Sequence, residues 1–151
     1  MKQRIDYQKI APEALKGMLQ LEKYIANSGL ETSLLELVKL RASQINGCAF
    51  CIDMHTKDAR EMGETEQRLY TLSVWHETDF FGKREEAALA WTEALTLIHN
   101  NDVPDALFEK VKKAFSDVEI VALTTAINAI NNWNRLAISF RKVPGSYKPE
   151  G

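Results

Sequence analysis

With 151 residues the chain is long enough to bury a hydrophobic core without disulfide staples or a structural metal, and a single domain over residues 1–151 is the expectation. Hydrophobic residues at 45% and charged residues at 26% exclude the disordered class. With 21 acidic and 19 basic side chains, a formal charge of −2 and no Lys/Arg stripe, nucleic acid is not an expected partner. No apolar run approaches span length, so no membrane association is expected either, and the expected location is cytoplasmic.

Apolar residues recur at helical spacing along the chain, with no period-2 run of β-branched residues, so the expected fold is an all-α helical bundle. A first helix is predicted from about Pro12 to about Ala26, with Leu15, Met18, Leu19 and Ile25 inward and Asn27-Ser28-Gly29 as its stop. Ser33-Leu34-Leu35-Glu36 reads as a capping box opening a second helix through Leu37, Leu40 and Ile45 to the Asn46-Gly47 break. A third starts at or near Cys48 and ends at Gly63, and a shorter one runs from Thr65 to about Trp75. After a loop through Asp79-Phe80-Phe81-Gly82, Arg84 to about Ile98 forms another helix. Asn100-Asn101-Asp102 breaks the chain before a helix opened by Pro104 and closed near Phe115. Ser116-Asp117-Val118-Glu119 is a second capping box, opening a long helix to about Phe140, and Pro144 to Pro149 is a non-helical tail.

A shift of 83 positions lays Ser33 on Ser116, Glu36 on Glu119, Val38 on Val121 and Leu40 on Leu123, which reads as a diverged internal helical repeat. The same shift places Cys48 on Asn131 and Cys51 on Asn134, so only the first copy carries sulfur.

Those two cysteines are the chain's only ones, and a loop this small makes them useless as a fold staple; in a reducing compartment they point to redox chemistry or metal binding. On a helix Cys48 and Cys51 are neighbours at i,i+3, and Cys51 and His55 at i,i+4. Cys48 would lie in the first turn, where free N–H groups favour a thiolate, and His55 is placed to exchange a proton with Cys51. Proximity to a helix end favours Cys48 as the nucleophile, whereas proximity to a base favours Cys51. In one continuous helix Glu36 would lie about 18 Å from Cys48. If the chain folds back at Asn46-Gly47 as a hairpin, Glu36 and His55 come level to within a turn, and Glu36 could orient the imidazole.

The series Glu36, Cys48-Ala49-Phe50-Cys51, His55 resembles the alkylhydroperoxidase D core of the carboxymuconolactone decarboxylase-like superfamily, a likeness covering roughly residues 34–97, including Arg84-Glu85-Glu86-Ala87-Ala88-Leu89-Ala90-Trp91. The resemblance implies a homotrimer or homohexamer without metal or organic cofactor, whose CxxC dithiol cycles between reduced and disulfide forms. Cys51 would be the peroxidatic thiol, Cys48 the resolving thiol, and His55 with Glu36 a proton relay. The substrate implied is a hydroperoxide, and the partner an external dithiol electron donor. Well-described members carry histidine immediately before the second cysteine, where this chain has Phe50, and an apolar ring cannot join a proton relay.

Several competing readings stand beside this one. The cysteines could be buried small hydrophobes, or could bind zinc with His55, although four ligands are wanted and His76 or His99 would have to complete the set. Glu36 has its capping-box role. Trp75, Trp91, Trp133, Phe80 and Phe81 are expected in the core, an interface or a pocket wall, whereas Asp53 and Asp58 are expected to face solvent. Functionally, the alternatives are a redox sensor or disulfide-exchange protein, or a decarboxylase-like enzyme of the same superfamily.

Overall fold

The structure is a computed structural model that describes residues 1–100 and 102–149. Its regular elements are helices: α1 (Tyr7–Ile10), α2 (Pro12–Ala26), α3 (Thr32–Asn46), α4 (Ala49–Glu61), α5 (Glu66–Thr71) running into a 3-10 turn (Leu72–Glu77), α6 (Lys83–Thr96), α7 (Asp105–Ala114) and α8 (Asp117–Phe140). The all-α expectation is met, and no strand occurs among the described residues. Nor is any described helix long and apolar enough to cross a membrane.

Helix α3 is the axle of the packing. Leu34, Leu35 and Val38 join a cluster with Ile25, Trp91, Phe115, Leu123 and Ile127. From the other side of the same helix, Leu37 and Leu40 join Leu72, Trp75, Phe81 and Leu89. A helix apolar on two faces is buried on both, and α3 accordingly packs against α4, α6 and α8. Trp75 and Trp91 are core residues whose indole N–H groups find Glu93 Oε1 (2.8 Å) and Thr124 Oγ1 (2.9 Å). Phe81 is buried, whereas Phe80 is exposed.

Local chemistry sets the helix ends. Pro12 opens α2, where its missing N–H and fixed φ cost nothing. The capping box at the start of α8 forms as expected: Ser116 Oγ accepts from Glu119 N–H (3.3 Å), and Glu119 Oε2 accepts from Ser116 N–H (2.7 Å). Gly47, at φ +70°, turns the chain from α3 into α4, a left-handed conformation that glycine adopts without a Cβ penalty.

The structure corrects several sequence expectations. Leu19 is 56% exposed rather than inward, because α2 packs chiefly on α8 and covers only the stripe of Leu15, Met18, Glu22 and Ile25. The capping box at Ser33 does not form: Glu31 is the N-cap of α3, which moves Glu36 into the second turn, where its carboxylate is buried. Ile45 is half-buried. The helix expected from Thr65 to Trp75 breaks into α5 and the 3-10 turn, with a non-helical Val74. The short α1 has no counterpart among the expected elements. The break through Asn100-Asn101-Asp102 includes Asn101, which lies outside the described residues.

Of the pairs aligned by the 83-residue shift, Leu40 and Leu123 are both buried and Ser33 and Ser116 both exposed, whereas two pairs differ. Val38 is buried and Val121 exposed; Glu36 is buried, and Glu119 caps a helix and pairs with Arg84 at 2.6 Å. Asn131 and Asn134, aligned with the cysteines, hold the hairpin that carries them. Asn46 Nδ2 donates to Asn131 Oδ1 (2.9 Å) and Asn134 Oδ1 (2.8 Å), and Asn134 Nδ2 donates to Ser43 Oγ (3.0 Å). Asn131 Nδ2 continues to Thr96 Oγ1 (3.2 Å) and the Ile127 carbonyl (2.8 Å). Such a buried network specifies one arrangement only while every member is satisfied. Replacing Asn134 with leucine removes one partner each from Asn46 and Ser43, so Asn134→Leu should lower unfolding stability by about 2 kcal/mol. Urea denaturation at neutral pH checks this; a change below about 0.5 kcal/mol would mean the network holds nothing.

Candidate active site

The turn at Gly47 delivers Cys48 to the N-cap of α4 rather than its first turn. Cys48 N–H donates to the Ser43 carbonyl (3.0 Å), and its Sγ accepts from Cys51 N–H (3.4 Å). The two sulfurs are joined as a disulfide, with Cα atoms 5.3 Å apart. Both residues are buried, in a small cluster with Ala137 of α8 and the half-buried Phe50.

One turn further along α4 comes His55, and the hairpin brings Glu36 of α3 to it: Nδ1 of His55 and Oε2 of Glu36 lie 2.7 Å apart, both residues about 5% exposed. Oε1 of Glu36 accepts from Lys39 Nζ at 3.3 Å, and Lys39 also faces Glu22 at 3.8 Å. Burial pushes the Glu36 pKa upward, but the hydrogen bond and charge of His55, with the charge of Lys39, outweigh it and hold the carboxyl below its ordinary 4.5. An ionised Glu36 fixes the proton of neutral His55 on Nδ1 and leaves Nε2 as the acceptor.

Glu36, Cys51 and His55 line one cavity of about 340 Å³, together with Phe50, Met54, Trp133, Asp58, Lys142 and Tyr147 among others. Cys48 is not among its lining residues; it lines a neighbouring depression with Phe50, Ala137 and Lys142. The four residues singled out from sequence are thus brought together, and of the two cysteines only Cys51 shares a cavity with His55.

Two contributions escaped the sequence reading. Asp58 does not simply face solvent: it lines the cavity and accepts from the Tyr147 hydroxyl at 2.7 Å. Asp53 is likewise engaged, by Lys57 (2.9 Å) and by Gly145 N–H (3.1 Å). Together with Lys57 Nζ donating to the Tyr147 carbonyl (3.1 Å), these bonds strap the non-helical tail along α4 and make Tyr147 and Lys142 part of the site. The only sequence signal was the placing of acids and Lys57 on the outer side of α4. Trp133, expected in the core, an interface or a pocket wall, takes the last of these places: it lines the cavity and donates to Glu22 Oε1 at 3.1 Å. His76 and His99 are exposed and take no part.

Among the described residues, Glu36, His55 and Asp58 are the group with metal-ligand potential, their donor atoms lying within 4.8 Å of one another. Glu36 is already held by His55 and Lys39, and Asp58 by Tyr147, so a metal would displace existing bonds. No cysteine belongs to this group, which separates it from the zinc arrangement weighed from sequence.

Fold and site together define a helical protein with a CxxC disulfide at a helix N-terminus beside a buried Glu–His pair. The chain belongs to the carboxymuconolactone decarboxylase family, whose model matches residues 12–94, and within it to the alkylhydroperoxidase D-like members. It is 50% identical over 139 residues to the uncharacterised protein YdfG of Bacillus subtilis (strain 168), covering 92% of this chain and 95% of YdfG. A crystal structure from Agrobacterium tumefaciens, of a protein of unknown function considered a candidate antioxidant defence protein AhpD, superposes with a TM-score of 0.92 at 48% identity. The match covers 97% of this chain and 100% of that one. An uncharacterised peroxidase-related protein with an AhpD core from Ralstonia eutropha JMP134 shares the fold at TM-score 0.81 and 17% identity, over 92% of this chain and 74% of its own.

The Glu36 environment has a pH signature. A carboxyl whose folded pKa is depressed binds more protons unfolded than folded over the interval between the two values. It therefore contributes stability that is fully present above about 4.5 and is lost as pH falls through the lower folded value. Glu36→Gln should be less stable than wild type at pH 7 by an amount on the order of 1–3 kcal/mol, with the difference closing below pH 4.5. Thermal unfolding of both proteins from pH 3 to 7 tests this, and a pH-independent difference would contradict the assignment.

Proposed function

We propose that the protein is a thiol-dependent peroxidase that reduces hydroperoxides through the Cys48–Cys51 dithiol. The observation that carries the reading is that Cys51, and not Cys48, shares the cavity with the Glu36-oriented His55. The likeness to AhpD-type proteins supports it from outside the site. In the cycle, His55 takes the Cys51 proton and the thiolate attacks the distal oxygen of ROOH. The O–O bond breaks, the departing alkoxide recovers a proton from the imidazolium as ROH, and Cys51 becomes a sulfenic acid. The Cys48 thiolate then attacks the Cys51 sulfur, forming the disulfide and releasing hydroxide, which leaves as water. Two thiols and ROOH thus give a disulfide, ROH and H2O, and an external dithiol returns two electrons by exchange.

Glu36 is the positioning residue: it fixes the tautomer of His55 and stabilises the imidazolium. No metal or organic cofactor takes part in these steps. Assembly as a homotrimer or homohexamer and a cytoplasmic location belong to the same reading.

Stopped-flow oxidation of the reduced protein by cumene hydroperoxide tests the cycle. Wild type should form the disulfide rapidly, Cys48→Ser should accumulate a trappable sulfenic acid, and Cys51→Ser should not react. His55→Ala should slow the reaction by about a hundredfold. Oxidation of wild type no faster than that of a free thiol would overturn the peroxidase reading, and a single oxidation that no dithiol can reset would point to a sensor.

A further inference from the structure

Lys142 stands at the cavity in an unusual electrostatic position. The other lysine lining it, Lys39, lies between Glu36 and Glu22. Lys142 makes no ion pair among the described residues; its Nζ donates to the neutral Gln8 Oε1 at 3.1 Å and lies 4.5 Å from the centre of the Phe50 ring and 5.8 Å from that of Tyr7. The ammonium is therefore half-buried against aromatic faces and in no salt bridge, although the charge of the Asp6 carboxylate reaches it. Burial pushes its pKa down, with the charge of Asp6 working against that shift. An ammonium so desolvated gains from an anionic partner more than an exposed one does.

The cavity's own acids do not supply that partner. Glu36 is held by His55 and Lys39, Glu22 by Trp133 and Lys39, and Asp58 by Tyr147. The remaining walls near Cys51 are apolar or aromatic, with Phe50, Met54, Trp133 and Ile130 among them, and the volume of about 340 Å³ suits a small organic molecule. Lys142 is also held in place. It follows Arg141, whose φ of +53° ends α8, its own N–H donates to the Ala137 carbonyl (2.9 Å), and the tail beyond it is strapped to α4.

We propose that Lys142 is an anion-recognition residue of this cavity and that the hydroperoxide it selects is an apolar one carrying a carboxylate, the apolar body lying along the aromatic wall. The inference rests on the hydroperoxide reading and names its substrate class.

The test compares cumene hydroperoxide with its para-carboxylate derivative as oxidants of the reduced protein. Wild type should react about tenfold faster with the carboxylate, the ratio falling to about one in Lys142→Met and persisting in Lys142→Arg. A wild-type ratio near one, or a ratio that survives in Lys142→Met, would overturn the proposal. So would Lys142→Met slowing both oxidants equally, which would mean that the cation acts on the thiol instead. A second arm needs no peroxide chemistry: calorimetric titration of the disulfide protein with 4-isopropylbenzoate and 4-isopropylbenzyl alcohol should show the carboxylate binding about tenfold tighter, and Lys142→Met abolishing the difference. If neither hydroperoxide oxidises the protein, the peroxidase reading fails and the titration alone decides the role of Lys142; equal binding of acid and alcohol by wild type would end it.

Discussion

A carboxylate and an imidazole nineteen positions apart meet at 2.7 Å because the chain reverses at Gly47, and the rest of the site depends on that reversal. Buried at about 5% exposure, either partner alone would be an uncompensated polar group, so the pair is stable only as a pair. The hairpin therefore has two supports at its opposite ends. At the turn, the Asn46–Asn131–Asn134 network ties α3 to α8. About three helical turns away, Glu36 ties α3 to α4. Cys48 and Cys51 lie between these supports, so their position relative to His55 follows from neither support by itself.

The network at the turn also explains why α8, which carries no reacting group, is part of the site. Asn134 is fully buried and donates to Ser43 Oγ, and the Ser43 carbonyl accepts the Cys48 N–H. Hydrogen bonding thus runs from α8 through α3 to the first sulfur-bearing residue. Ala137, one turn beyond Asn134, packs on the cysteines themselves, where a larger side chain would displace the sulfurs or Phe50. Beyond α8 the same chain turns at Arg141 and supplies Lys142 and Tyr147 to the cavity.

Much of this was legible in the sequence, for identifiable reasons. Helical periodicity and the breaks at Gly29, Gly47 and Gly63 are local signals, and they placed α2, α3, α4 and α8 closely. Cys51 and His55 at i,i+4 needed only helix geometry. The Glu36–His55 contact required one long-range assumption, the hairpin, which the Asn46-Gly47 pair announced. What failed was local pattern read without tertiary context. Ser33 and Glu36 have capping-box spacing, yet Glu31 starts the helix earlier and His55 claims the carboxylate. Leu19 is apolar at helical spacing but lies on the flank of an outer helix. Asn131 and Asn134 looked like the degenerate positions of a repeat, and only the folded chain shows what they bind. The tail is non-helical as expected, but its attachment is not legible locally because its order comes from Asp53, Lys57 and Asp58, on a distant helix.

Burial of the disulfide bears on how the proposed cycle would be reset. With both cysteines no more than 2% exposed, an incoming dithiol cannot approach the sulfurs from bulk solvent at random. The 340 Å³ cavity reaches Cys51 and not Cys48, so attack through it falls on the Cys51 sulfur and expels Cys48 as the leaving thiolate. A leaving thiol departs faster the lower its pKa. At the N-cap of α4, Cys48 Sγ already accepts the Cys51 N–H at 3.4 Å and lies at the positive end of the helix dipole, both of which favour the thiolate. The features that favoured Cys48 as a nucleophile in the bare sequence thus suit it better to another role, that of the sulfur that attacks Cys51 when the disulfide closes and departs from it when the disulfide opens. Cys51, beside the base, is then the sulfur reached through the shared cavity in both halves of the proposed cycle.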